Sequence, residues 1–179
     1  PRVRRQRQMC IRDRSRVVPN LDSASEVYES FIKLGFDGIN PMGKNRAEMV
    51  YQGKYCRIIR RALQKKFSFL PPLKYDYPKV MKHFYMPEDQ WNNVFPTLFP
   101  QWDRTPRAGK HEGIYVNATP QNFEEHIRGA LQIIRNKPED KKILFLRSWN
   151  EWGEGNYVEP DSLYGHGFLD AIKNEIKAE

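Results

Sequence analysis

In the run Trp149-Asn150-Glu151-Trp152-Gly153-Glu154-Gly155, two carboxylates lie three residues apart among two indoles. Glycosyl chemistry needs such a pair: one carboxyl group protonated to assist the leaving oxygen, the other ionised as base or nucleophile. Trp149, Trp152 and Tyr157 add flat apolar faces on which sugar rings stack, and bulk that shields a neighbouring group from water. Gly153 and Gly155 flank Glu154 and permit a sharp backbone path that turns Glu151 and Glu154 toward one cavity. The plainer alternative is a solvated turn, its charges pointing outward while two tryptophans pack a core. Two glutamates three apart are common in themselves. Their company is less ordinary.

The elements that must position this run read as alternating helices and short apolar strands. Ser23 or Ser25 can cap a helix running to about Leu34, with Val27, Phe31 and Leu34 on one face and Gly35 as its stop. Residues 36–40 read as a short strand. In 47–67, Tyr51, Tyr55, Ile58, Ile59 and Leu63 fit a helical period that Gly53 interrupts. Pro71-Pro72 breaks the chain, and 76–85 reads as a helix. Residues 94–99 read as a strand in which Pro96 marks a bulge or a late start. Residues 122–135 are the clearest helix, with Phe123, Ile127, Leu131 and Ile134 on one face behind Thr119-Pro120. Residues 142–148 contain Ile-Leu-Phe-Leu, expected as a strand covered on both faces. A helix over 167–177 closes the chain. This order builds a parallel sheet with crossover helices, open or closed into a barrel. The Glu151/Glu154 run follows the last strand, at the end where parallel α/β folds bind ligands.

The net charge of +8 invites a nucleic-acid reading that its distribution weakens. Residues 1–16 hold seven arginines against Asp13 alone, a net of +6, and the rest of the chain nets only +2. Residues 1–14 show no apolar period and resemble a translated adapter artefact, so they are expected to stand outside the fold, with 15–179 as the domain. A basic nucleic-acid or membrane arm is the rival reading of this leader. No apolar run reaches the roughly 18 residues of a membrane span. Cys10 and Cys56 make no disulfide framework, and His83, His111, His126 and His166 are too scattered to predict a metal. No cofactor is expected.

The longer pattern Trp-Asn-Glu-Trp-x-Glu-Gly-x-Tyr-x-Glu-Pro-Asp, spanning Trp149 to Asp161, resembles the signature of the WbsX family, whose domain is similar to glycoside hydrolase family 99. Phe99 to Arg107 resembles that family's second block, with Gln101 and Arg104 where Gly and Asn are usual. The resemblance implies an α/β fold of the (β/α)8 TIM type, of which this chain would be the C-terminal part. It further implies retaining chemistry in which Glu151 deprotonates the sugar's 2-hydroxyl and Glu154 is the general acid/base. Trp149, Asn150, Trp152 and Tyr157 would line the sugar subsite. Trp102, Asp103 and Arg107 would face the same mouth, or form a loop salt bridge over an aromatic plug. Glu159 and Asp161 are expected to fix the loop, and His166 to cap a helix or lie on the surface.

Three functions compete at this point: hydrolysis or transglycosylation of a glycan or polysaccharide, glycosyl transfer in surface-polysaccharide or lipopolysaccharide assembly, and non-catalytic glycan binding. The lack of an Asp-x-Asp metal site leans toward hydrolase chemistry. A barrel of this kind needs roughly 250 residues, so an N-terminal barrel segment is expected beyond the sequence given. Localisation stays open, and would be cytoplasmic for a polysaccharide-biosynthesis enzyme.

Overall fold

The structure, a computed structural model, describes residues 24–67, 70–109 and 113–178. The arginine-rich segment 1–14, Cys10, Ser23 and His111 lie outside the described residues. Along the chain run helices α1 (Ala24–Lys33), α2 (Lys44–Gln52) and α3 (Lys54–Lys66), then strand β1 (Lys74–Asp76) and helix α4 (Tyr77–Met81). Strand β2 (Thr97–Leu98), the short helix α5 (Thr105–Ala108), strand β3 (Ile114–Val116) and helix α6 (Pro120–Ile134) follow. Strands β4 (Phe145–Leu146), β5 (Asn150–Glu151) and β6 (Asn156–Tyr157) lead to helix α7 (Gly167–Lys177). The fold class is mixed α/β.

Helix α6 forms where its sequence dictates. Thr119 is extended, its hydroxyl accepts the Asn122 N–H, and Pro120 takes a first-turn position where no N–H is required. Phe123, Ile127, Leu131 and Ile134 are all buried, each contributing about 1.5–3 kcal/mol relative to exposure. Phe123 meets Phe168 of α7 at 5.7 Å between ring centroids. Arg128 Nε donates to both Glu175 oxygens across the same helix pair.

The strands pair in parallel: β1 with β3, setting Tyr75 opposite Tyr115, and β2 with β4, setting Thr97 opposite Phe145. Both pairs join strands that are not consecutive in sequence, as crossover connections require. Strands β5 and β6 form an antiparallel hairpin. The described residues form three two-stranded ladders, and no closed barrel. Beneath them sits an aromatic core of Tyr75, Tyr77, Phe84, Phe99, Phe123 and Phe168, in which the Tyr77 hydroxyl donates to the Phe99 carbonyl.

Several expectations contract or fail. The strand over 36–40 is only a parallel bridge from Ile39 to Val94. The strand over 94–99 begins at Thr97, after the proline that cannot donate. Residues 142–148 are not covered on both faces: Ile143 and Leu146 are exposed, and β2 is the sole partner strand of β4 among the described residues. The helix over 76–85 is the short α4, preceded by β1. Val27 and Leu34 of the first helix are exposed, although Phe31 packs edge-on against Phe36. The stretch 47–67 is two helices, split where Gly53 takes φ 82°.

At the centre His126 stacks on Tyr85 with centroids 4.9 Å apart, and its Nε2 accepts the Phe99 N–H at 3.1 Å. Burial pushes this imidazole down to about 3 and pushes the Asp89 carboxyl up to about 6. The His126 contribution is fully present above the unfolded imidazole value of about 6.5 and is lost as pH falls toward about 3, because the unfolded chain takes a proton that the folded chain refuses. Asp89 acts oppositely: its contribution is present below the unfolded carboxyl value and lost as pH rises through about 6. Denaturant midpoints at fixed ionic strength should therefore fall more shallowly from about pH 7 to about pH 4 in His126→Asn than in the wild type. Parallel slopes in the two proteins would remove His126 as the source.

Candidate active site

Two loops leave the C-terminal edge of the β2–β4 pair and lock together. After β2 the chain runs through Phe99 to Asp103, and after β4 through Arg147 to the β5–β6 hairpin. Between β5 and β6, residues Trp152–Glu154 make one 3-10 turn and Gly155 reverses the chain at φ 53°. The Asp103 N–H donates to the Glu154 carbonyl at 2.9 Å, and the Gln101 amide donates to the Tyr157 carbonyl at 3.1 Å. Asn156, fully buried, donates its side-chain amide to the Gln101 carbonyl. Ser148 braces the hairpin from within, donating to the Asn156 carbonyl and accepting the Glu151 N–H.

Glu154 is drawn into this junction and ringed by cations. Its Oε1 lies 3.2 Å from Arg104 Nε and 3.5 Å from an Arg107 nitrogen, and its Oε2 lies 3.0 Å from an Arg147 nitrogen. The Glu154 side chain is 10% exposed, against 45% for Glu151, whose Oε1 reaches the same Arg107 nitrogen at 3.4 Å. One guanidinium nitrogen thus faces both carboxylates. Trp102 lies buried below, its ring stacked on Phe99 and approached by the Arg147 guanidinium (5.6 Å) and Lys44 Nζ (4.8 Å).

The aromatic rim is open. Trp149 and Trp152 are exposed, and Trp152 stacks on Tyr157 at 3.7 Å between centroids. The Trp152 indole N–H donates to Glu159 Oε2, so Glu159 props the rim through a side chain and not through a backbone N–H. Burial pushes the Tyr157 phenol up, with Asp161 adding to the effect. Asn150 is exposed on β5 opposite Tyr157. Asp161 caps the next turn, accepting the N–H groups of Leu163 and Tyr164, and His166 stands exposed ahead of α7.

Among the sequence-predicted residues, the structure gathers Glu151, Glu154 and Arg107 directly, with Trp149, Trp152 and Tyr157 on the same hairpin. Asp103 turns away to accept the N–H and hydroxyl of Thr105 at 2.9 and 2.6 Å, opening α5. Trp102 is a floor beneath the charges. Sequence reasoning missed Arg104 and Arg147 as partners of Glu154. The position of Arg147 directly after an apolar strand was the available signal. It also passed over Asp76, the last residue of β1, and Asn117, the residue after β3, which join through Asn117 Nδ2 to Asp76 Oδ1 at 2.8 Å. Among the described residues no group of three His, Cys, Asp or Glu is arranged to hold a metal.

A mixed α/β domain with its charged cluster at the carboxyl ends of parallel strands is the class of protein defined so far. The chain belongs to the WbsX glycosyltransferase family, whose profile, described as "Glycosyltransferase WbsX", matches residues 7–172. It is also similar to the "Uncharacterized protein WxcX" of Xanthomonas campestris pv. campestris, in strains B100 and ATCC 33913. Identity is 32% over 84 residues in each, which is 46% of this chain and 12% of the relative. The match thus spans a minor part of those curated relatives. No solved structure matches the chain.

Gly155 is irreplaceable for two separate reasons, its positive φ and the absence of room for a side chain. A Cβ there would stand 2.8 to 2.9 Å from the N, Cβ and O of Asp103. Gly165 has nearly the same positive φ, at 55°, but a Cβ there meets open space. We expect Gly165→Ala to cost about 1 kcal/mol from backbone strain alone and Gly155→Ala to cost clearly more, read as denaturant midpoints. Equal losses would mean that the two loops are not locked together at Gly155.

Proposed function

We propose that this chain is a catalytic portion of a carbohydrate-active enzyme that breaks or re-forms glycosidic bonds of a glycan, using Glu151 and Glu154. The observation that carries this reading is the pair of carboxylates facing one Arg107 nitrogen at 3.4 and 3.5 Å. Such convergence admits the short spacing of a retaining pair, roughly 5–5.5 Å. The exposed indoles of Trp149 and Trp152 supply stacking faces beside the pair. In this reading Glu151, the more open carboxylate, activates the attacking oxygen, and Glu154 exchanges a proton with the leaving group. Both Glu154 oxygens are engaged by guanidinium groups, so its proton transfer requires one arginine to shift when substrate enters.

The parallel strand pairs and the position of the site at their carboxyl ends support a further part of the proposal, that these strands belong to a (β/α)8 barrel. Glycosyl transfer to a polysaccharide acceptor is the second reading, and the family's description favours it. Both use the same carboxylates on the same class of substrate.

Kinetics on an activated aryl glycoside and on a natural glycan test the assignment. Glu154→Gln should lower turnover of the natural glycan by about 10² to 10⁴, and the activated substrate should suffer less because its leaving group needs no proton. Glu151→Gln should be damaging on both. Glu159→Gln should change stability more than rate. Equal losses for Glu151 and Glu154 on both substrates would refute the roles, and wild-type rates in either variant would move the active site elsewhere.

A further inference from the structure

Helix α3 turns its polar stripe inward and its apolar stripe outward. Arg57 and Gln64, two turns apart on one face, are both buried. Arg57 donates to Glu48 Oε2 at 2.6 Å and to Asn45 Oδ1 at 3.1 Å, and Gln64 donates to the Pro71 carbonyl at 2.8 Å. Glu48 is itself fully buried and also receives Lys44 Nζ at 2.7 Å and the Tyr115 hydroxyl at 3.3 Å. Rotating the helix would strand that buried carboxylate with one cation fewer. The outward face is therefore fixed.

That face carries Tyr55, Ile58, Ile59 and Leu63, all between 41% and 77% exposed. Their spacing of i, i+3, i+4 and i+8 makes one continuous helical stripe, and exposed Phe67 follows at the C-cap. Besides the buried Arg57, the same helix holds Lys54, Arg60, Arg61, Lys65 and Lys66 and no acidic residue. A partner that presents an apolar layer beneath a negatively charged surface uses both features.

We propose that α3 docks this chain on an anionic lipid surface, its apolar stripe entering the interfacial layer while the flanking cations meet acidic headgroups. The proposal is independent of the glycan reading. Charge argues against two other occupants. The segment 1–16 nets +6 and a second copy would present the same basic helix, so both repel α3. A nucleic acid would answer the charge and leave the stripe in water.

Co-sedimentation of the full chain with lipid vesicles tests this. The chain should bind vesicles holding about 30% phosphatidylglycerol in phosphatidylcholine, bind pure phosphatidylcholine far more weakly, and lose affinity as salt rises. The charge-neutral double variant Ile58→Asn, Ile59→Asn should weaken binding roughly tenfold or more with its circular dichroism unchanged, since both positions are exposed. Lys173→Glu on α7, also exposed, should leave binding close to wild type. Equal binding to both vesicle types, or undiminished binding of the double variant, would overturn the proposal. So would polyglutamate or duplex DNA binding as tightly as the vesicles, which would reduce the effect to charge. A wild-type dimer that the double variant converts to monomer would instead assign the face to a second copy and equally overturn it.

Discussion

Burying the Glu154 carboxylate is tolerable only because guanidinium groups from two different loops come to it. An unpaired charge in that position would cost several kcal/mol, whereas a buried charge with well-placed partners roughly breaks even. Arg104 immediately precedes α5, Arg107 lies within it, and Arg147 directly follows β4. One side chain therefore joins the segment after β2 to the segment after β4. The backbone repeats the lesson, since the Glu154 carbonyl accepts the Asp103 N–H at the same junction. Without the carboxylate, three positive groups would face one another across a narrow gap.

The same arrangement makes the two glutamates chemically unlike. Glu154 has partners on both oxygens and little contact with water, while Glu151 sits at the edge, facing Arg107. Environment, and not residue type, is what lets two identical side chains take different parts in one reaction. Arg107 is pivotal because it touches both. A ligand oxygen that arrives at Glu151 competes for the nitrogen that also faces Glu154, so occupancy of one carboxylate alters the surroundings of the other.

The sequence made α6 and α7 legible because their apolar spacing, Thr119-Pro120 cap and bounding residues agree at every level. The hairpin motif was legible for its composition: Gly155 marks a reversal that only glycine tolerates beside Asp103. Arg104 and Arg147 were not legible as partners of Glu154, because ion pairs 50 and 7 positions apart leave no periodic trace. Arg147 was in view as the residue after a strand, yet nothing local says which way it points. Strand β3 was missed for a different reason. Three residues, Ile114–Val116, are too few to show alternation, and the parallel partner β1 is far away in sequence. The stripe of Tyr55, Ile58, Ile59 and Leu63 shows the opposite failure. Its period was read correctly, but periodicity reports a helix and is silent on which face the core takes. The Glu48 carboxylate decides that, by demanding Arg57.

These two buried carboxylates are neighbours through a single indole. Arg57 pairs with Glu48, Glu48 with Lys44, Lys44 lies over the Trp102 ring, Arg147 approaches that ring too, and Arg147 holds Glu154. Such a route of contacts is not in itself evidence of communication, which requires an element with two arrangements that both ends bias. What it supplies is positional restraint. Each charged group is held by a partner that is itself held, and Trp102 gives Lys44 and Arg147 a shared surface that cannot be displaced without opening the Phe99 stack. The helix whose apolar face looks outward and the hairpin that carries Glu151 are in this way referred to one rigid floor. A surface on which α3 settles would then fix the direction in which the open rim of Trp149 and Trp152 faces.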